Sequence, residues 1–193
     1  MPDSVRHSAR RPVRHSVRHS VRPAELRDAA ALAAVQRDAW LALLGRDVPT
    51  LAAALEIDAL ERTWADAIVL AQAEGPYAVL AGLDEAGQVA GFAALGPLLD
   101  PDRPVRAGEL VALWVAPDRQ RAGHGSRLLA AAAQAARAPG AAFERLSHWV
   151  ARHDVYRQRF LRGAGFALDG AERTWQAPSG ELIDEQRWSA LLP

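Results

Sequence analysis

The residues of this chain best suited to chemistry lie between Val115 and Leu129, which read VAPDRQRAGHGSRLL. An apolar strand runs out at Val115, a turn contains Pro117, and Gly123 and Gly125 precede an Ala-rich helix. Two glycines between a strand and a helix let the backbone turn tightly and let a ligand approach it closely. The helix they open presents unpaired N–H groups and the positive end of its dipole. Such an end binds anions, phosphates above all. Two well-known phosphate loops do not fit. A Walker loop needs a lysine, and the chain has none; a dinucleotide fingerprint needs Gly or Ala three residues after its second glycine, where Leu128 stands. On this stretch alone, a helix-opening turn without a ligand fits as well.

Glu109 stands 14 residues before Gly123, at the edge of the apolar run Leu110–Val115. Partial desolvation there raises a carboxyl pKa toward the range of a general base, whereas a solvated strand-end Glu does no chemistry. His148 and His153 are candidate proton donors, and each also reads as a structural histidine. His124, in the glycine turn, either touches a phosphate or is an exposed turn residue. Cysteine is absent, which excludes disulfides, thiolate zinc sites and cysteine nucleophiles. No metal is expected, because nothing holds the spaced His7, His15 and His19 in a ligand geometry.

Half of the 193 residues are apolar, which suits one domain with a substantial core. All 23 basic residues are Arg and Asn is missing too, a bias that fits GC-rich coding better than function. The neutral total hides an asymmetry: residues 1–22 carry six Arg and one Asp, leaving 17 Arg against 22 acids in the rest. The basic segment repeats Val-Arg-His-Ser at Val5, Val13 and Val17. It reads as a disordered extension over residues 1–15, with a basic arm for nucleic acid as the other option. The acidic remainder argues against nucleic acid as a partner. No apolar run approaches the roughly 20 residues that span a bilayer, and the Arg-rich start has no apolar core, so no membrane and a cytoplasmic location are expected.

The elements that must position these residues follow from periodicity and punctuation. Residues 16–23 alternate as a short strand, 24–44 carry a helical stripe closed by Gly45, and Pro49-Thr50 opens a second helix over roughly 50–73. Tyr77–Leu83 and Gln88–Leu95 form a hairpin around Asp84-Glu85-Ala86-Gly87. Residues 96–108, with three prolines, read as a loop before the central strand Leu110–Val115. Then come a helix from Gly123 to about Arg137, a strand Phe143–Ala151, a helix over 154–163, and a final antiparallel pair, Phe166–Gln176 and Glu181–Leu191. This order predicts an α/β (α+β) fold with a central mixed sheet of six to seven strands flanked by about four helices.

Gln120, Gly123 and Gly125 match Gln/Arg-x-x-Gly-x-Gly/Ala, and the stretch resembles the pyrophosphate-binding signature of the GNAT superfamily of acyl-CoA-dependent N-acetyltransferases. A second resemblance lies in the C-terminal half. Such chains often carry a strand Val, then Asn, Tyr and Gly-Phe at spacings of four, seven and four; here Val150, Asp154, Leu161 and Gly165-Phe166 stand at those places. Trp149-Val150 also resembles the Trp-Val common at that strand. With the element order, the resemblance covers residues 16–193 as one acetyltransferase domain.

The resemblance implies that pantetheine lies between the strands around 110–115 and 143–151, pairing with the backbone at Leu113, Trp114 and Val115. It implies that Gln120, Arg121, Ala122, Gly123, His124, Gly125 and Ser126 hold the pyrophosphate, that an amide near Leu113 serves the oxyanion, and that Glu109 is the base. Acetyl-CoA is the implied co-substrate and a primary amine of a small molecule or peptide the acceptor; a homodimer is left open. Leu161 stands where the family's proton-donating Tyr belongs, and Tyr156, about 140° round the helix, cannot simply replace it. Asp154 contacts CoA or caps its helix. The acceptor pocket is expected from the first two helices and the last hairpin. Trp40, Trp64 and Trp188 are core residues by default, any of them a flat wall for an aromatic amine if it reaches the cleft. The departure at Leu161 keeps a second function open: a catalytically silent acyl-CoA-binding domain acting as a sensor or scaffold.

Overall fold

The computed structural model describes residues 20–44, 55–73, 75–99, 106–177 and 180–192. The expected extension over 1–15, the first residues of the strand over 16–23 and the helix opening at Pro49-Thr50 lie outside the described residues.

Seven strands form one sheet in the order β1-β2-β3-β4-β5-β7-β6. They are β1 (Ser20–Pro23), β2 (Ala78–Leu83), β3 (Val89–Pro97), β4 (Ala107–Val115), β5 (Arg145–Ala151), β6 (Ala167–Gln176) and β7 (Leu182–Leu191). Four helices of more than one turn occur among the described residues: α1 (Ala29–Leu44), α2 (Ile57–Gln72), α3 (His124–Ala136) and α4 (Val155–Gly163). All strand pairs are antiparallel except β4 with β5. Among the described residues no helix is long and apolar enough to cross a membrane.

Local chemistry sets the boundaries. The expected helix from 24 begins instead as a 3₁₀ turn, Leu26–Asp28, because Asp28 accepts from the Glu25 N–H at 2.8 Å and caps it. The buried Asp28 carboxylate also takes two bonds from the Arg22 guanidinium, at 2.7 and 3.0 Å, tying β1 to α1. The β2–β3 turn closes as expected: the Asp84 carboxylate accepts from the Ala86 and Gln88 N–H groups. Part of the expected loop over 96–108 is sheet, since β3 runs to Pro97 and β4 starts at Ala107, paired Pro97 to Gly108 and Gly96 to Glu109. Small residues that look like loop in sequence pair here because both strand ends are buried.

Two cores lie on opposite faces of the sheet. One packs α3 and α4 on it through Leu95, Leu110, Leu113, Leu128, Leu161 and Trp188. The other packs α1 and α2 through Leu32, Trp64, Ile68, Phe92 and Ala112, with Trp64 edge-on to Phe92 at 4.7 Å. Along β4, Leu110 and Leu113 share one core although three residues apart, while Ala112 faces the other. A strict two-residue alternation forbids that. The register shift between Ala94 and Leu95 explains it: Ala94 pairs with Ala112 and Leu95 with Leu110, so Val111 is the extra residue of a bulge.

Candidate active site

The parallel pairing of β4 with β5 covers only Ala107–Glu109 against Arg145–Ser147. Beyond the Glu109–Ser147 rung the strands part, β4 remaining with β3 and β5 with β7. The sheet is therefore forked, with Glu109 at the crotch and the bulge at Val111 on one arm. A polar chain anchors the crotch from below. Ser189 Oγ donates to Asp169 at 2.6 Å, so in the 2.7 Å Ser147–Ser189 contact Ser147 is the donor; Asp169 also binds the buried Arg187 at 2.9 Å.

A cavity of about 210 Å³ opens at the crotch. Glu109, Val111 and Trp114 of β4, His148 of β5, Arg157 of α4, Trp40 of α1 and Arg173, Trp175 and Glu185 of the last hairpin line it. Trp40 lies 6.1 Å from Trp114 and 5.0 Å from Trp175, ring centre to centre, making an aromatic wall from three elements. Burial pushes the Glu109 carboxyl above its ordinary range, only partly offset by the charges of Arg173 and Arg187, while Glu185 pushes it further up. The expected desolvated carboxylate is present.

Opposite it stands a group that sequence reasoning did not single out. Arg157 Nε binds the Asp154 carboxylate at 3.1 Å, and its Nη1 donates to the Leu113 carbonyl at 3.0 Å and faces His148 Nε2 at 3.4 Å. Its guanidinium lies 4.1 Å from the centre of the Trp114 ring. His148 Nδ1 is 2.5 Å from the Leu110 carbonyl. A carbonyl only accepts, so Nδ1 carries the hydrogen and Nε2 offers its lone pair to Arg157. Desolvation, with the Arg157 charge beside it, lowers the His148 pKa to about 3. The ring is neutral and structural, and its candidacy as a proton donor ends there.

At the far end of β4, a 3₁₀ turn over Pro117–Arg119 leads to the glycines. Arg119 anchors it to Asp84 at 2.6 Å. The backbone is left-handed at Arg121, φ 62°, and at Gly123, φ 83°. Such reversals turn successive N–H groups into one concavity, here continuous with the start of α3. Gly123 is required by its φ. Gly125 is not: a Cβ there meets only the Phe160 and Val115 side chains, at 3.7–3.9 Å. Among the described residues nothing crowds position 125.

The other expected residues fall as follows. Asp154 caps α4, accepting from the Arg157 N–H at 3.0 Å. His124 is 4% exposed, which overturns its reading as an exposed turn residue. Arg121, Ala122, Gln120 and Ser126 are exposed around the concavity. Leu161 is fully buried in the core under the fork. Tyr156 is 71% exposed, its ring 6.0 Å from the Arg121 guanidinium, and so belongs to the glycine-turn end rather than the crotch. His153 is exposed. Trp64 and Trp188 are core, as expected, whereas Trp40 reaches the cavity. Trp175, Arg173 and Glu185 arrive through the β6–β7 register, with Arg173 paired to Glu185 at 2.7 Å.

The structure thus has a forked mixed sheet with a glycine turn before a helix N-terminus on one arm and a desolvated carboxylate at the crotch. The sequence matches the Acetyltransferase (GNAT) family model over residues 38–166, and the chain belongs to this family of acetyltransferases. The fold is similar to that of PaiA N-acetyltransferase from Thermoplasma acidophilum in complex with coenzyme A, at 16% identity and TM-score 0.70, covering 89% of this chain and 98% of that one. It is also similar to YncA from Salmonella typhimurium with its cofactor acetyl-CoA (22% identity, TM-score 0.67, 91% and 95% covered). Ribosomal-protein-alanine N-acetyltransferase from Brucella melitensis aligns at 24% identity and TM-score 0.68, with 90% and 99% covered. A comparison with proteins of curated function finds no match.

Proposed function

We propose that this protein moves an acetyl group from acetyl-CoA to a primary amine of a small molecule or peptide, by direct transfer with both bound. The observation that carries the reading is the fork: β4 and β5 part beyond the Glu109–Ser147 rung, with the glycine turn at the open end of β4 and Glu109 at the crotch. The solved neighbours with coenzyme A or acetyl-CoA lend the donor its identity. The residues fit it. The concavity from Gln120 to Ser126 would hold the pyrophosphate, with Gly125 leaving the space for it, and the open arm of β4 at Leu113, Trp114 and Val115 would pair with the pantetheine amides. The donor supplies an activated acyl carbon and a thiol leaving group.

Glu109 takes the proton that the amine must lose to become a nucleophile, directly or through a water. Its raised pKa brings its basicity closer to that task. The wall of Trp40, Trp114 and Trp175 suits an acceptor with a flat or apolar body. A cavity of about 210 Å³ suits a small amine or a single protruding side chain.

The test is thermal and chemical. Acetyl-CoA at about 100 times its dissociation constant stabilises the protein by roughly 2.7 kcal/mol. An unchanged melting temperature in millimolar acetyl-CoA sinks the reading. The buried Leu161, where the resemblance calls for a Tyr, favours the second reading of a silent acyl-CoA-binding domain. Thiol release with a panel of amines separates the two: turnover supports the enzyme, and stabilisation without turnover on any amine supports the sensor.

A further inference from the structure

Arg157 bridges the two arms of the fork beyond its last rung. Its Nη1 reaches the Leu113 carbonyl on β4 at 3.0 Å and His148 on β5 at 3.4 Å. His148 is the residue next to Ser147 of the closing rung. The guanidinium thus lies between the two arms, against Leu113 and Trp114 of β4, in the same cavity as Glu109 and between it and the glycine turn. A donor anchored by phosphates at that turn and reaching toward Glu109 brings its thioester to this place. This argument rests on the acetyl-transfer reading above.

We infer that Arg157 is the group that stabilises the sulfur of the acyl donor as it leaves, in place of a proton-donating hydroxyl. None of the described residues lining the cavity carries a hydroxyl, and the buried, unpartnered Trp40 indole N–H is too weak an acid to protonate a thiolate. Leu161 is apolar and buried, Tyr156 stands at the other end of the cleft, and His148 spends its one N–H on Leu110. Arg157 has the required chemistry and is held ready. Asp154 fixes Nε, Leu113 and His148 take Nη1, and Trp114 backs the plane. A guanidinium carries five N–H donors, and among the described residues these contacts leave the Nη2 pair outside them. A fixed cation in a desolvated cleft stabilises developing negative charge without reorganising.

The step balances without an acid. The amine nitrogen bonds to the acyl carbon, the carbon–sulfur bond breaks, and its electron pair stays on sulfur as a thiolate paired with Arg157. Glu109 passes to water the first proton, which it took to make the amine nucleophilic, and then takes the second, which nitrogen sheds as the amide forms. The thiolate takes a proton from water after it departs. A thiol pKa near 8.5 makes such a leaving group tolerable, and an adjacent arginine lowers it further.

The experiment uses the full chain with CoA itself as the probe. Spectrophotometric titration of the bound thiol shows ionisation at lower pH than for free CoA in the parent, and no such lowering in Arg157→Gln. In acetyl transfer to one fixed amine, Arg157→Gln loses about 10²–10³ in kcat, the scale of a lost oxyanion donor. Asp154→Asn/Arg157→Gln repeats both measurements with the helix cap kept and no carboxylate stranded, so a folding defect in the single variant does not block the test. Equal thiol pKa values in parent and variant, or a kcat unchanged or raised by removing Arg157, overturn the inference. Failure of the parent to bind acetyl-CoA or CoA overturns the acetyl-transfer reading instead, and this inference with it.

Discussion

Burial moves Glu109 and His148 in opposite directions, and both shifts are testable. The Glu109 carboxyl binds its proton more tightly in the native state than in the unfolded chain, so the native state loses stability as pH rises through that interval. Glu109→Gln cannot ionise; it melts higher than the parent at neutral pH, and the difference vanishes below the unfolded value. The same substitution cuts turnover by about 10²–10⁴ while sparing acetyl-CoA affinity, measured by thiol release beside a thermal shift. Higher stability with lower activity is the signature of a group held for function. His148 gives the reverse pH dependence. Unfolded, it takes up a proton near 6.5, whereas the native ring refuses one until about 3, so stability falls as pH drops through that window. Carbon-13 shifts of its ring should show one neutral tautomer, protonated at Nδ1, well below pH 6.5. An imidazolium at pH 5 to 6 would refute the Arg157–His148–Leu110 arrangement. Tyr156→Phe changes the rate by only a few-fold, because its exposed hydroxyl is on the Arg121 side of α4.

The turn before α3 separates two uses of glycine. Gly123→Ala places a Cβ on a left-handed residue and costs about 1–2 kcal/mol in denaturant unfolding with no ligand present. Gly125 has no positive φ and a Cβ there makes only ordinary contacts, so Gly125→Val, checked for folding by its melting temperature without ligand, should abolish the thermal shift with acetyl-CoA by filling the approach. Loss of the shift at 123 alone would place the anion elsewhere. The conformation of this turn was legible in the sequence because it is local: a strand end, two glycines and a helix start, all within a dozen residues. Asp154 as a helix cap was legible for the same reason. The bulge at Val111 was not, because Leu110–Val115 is apolar throughout and gives no alternation to interrupt. Nor was the arginine pair in the cavity. Arg157 sits among Arg159 and Arg162 on one short helix and looks like one solvated charge among several. Its signal was the Asp154 three residues before it, a spacing that joins the two side chains. Arg173, Trp175 and Glu185 enter the site only through the register of β6 on β7 and of β7 on β5. That long-range pairing has no mark in any single segment.

At the scale of the molecule, one sheet carries both cores, and the fork proposed to admit the donor is an interruption of that same sheet. Among the described residues, every member of the two cores falls between Val21 and Leu192. The charge distribution divides at nearly the same place: six of the 23 arginines lie in residues 1–22, and the rest of the chain is acidic by 22 to 17. The reading of residues 1–15 as an extension makes the basic segment dispensable to folding and to donor binding, which deletion tests. Deleting residues 1–15 should leave the melting temperature and the shift with acetyl-CoA unchanged, with one cooperative transition in either case because the cores share their strands. The full chain should show no retention on duplex DNA at physiological salt, since an acidic domain opposes whatever the six arginines attract. A steep loss of DNA binding with rising salt, present in the full chain and absent from the truncated one, would make the segment a nucleic-acid arm. Unfolding of the truncated chain would instead show that the segment completes the domain, with β1 extended or α1 covered by it.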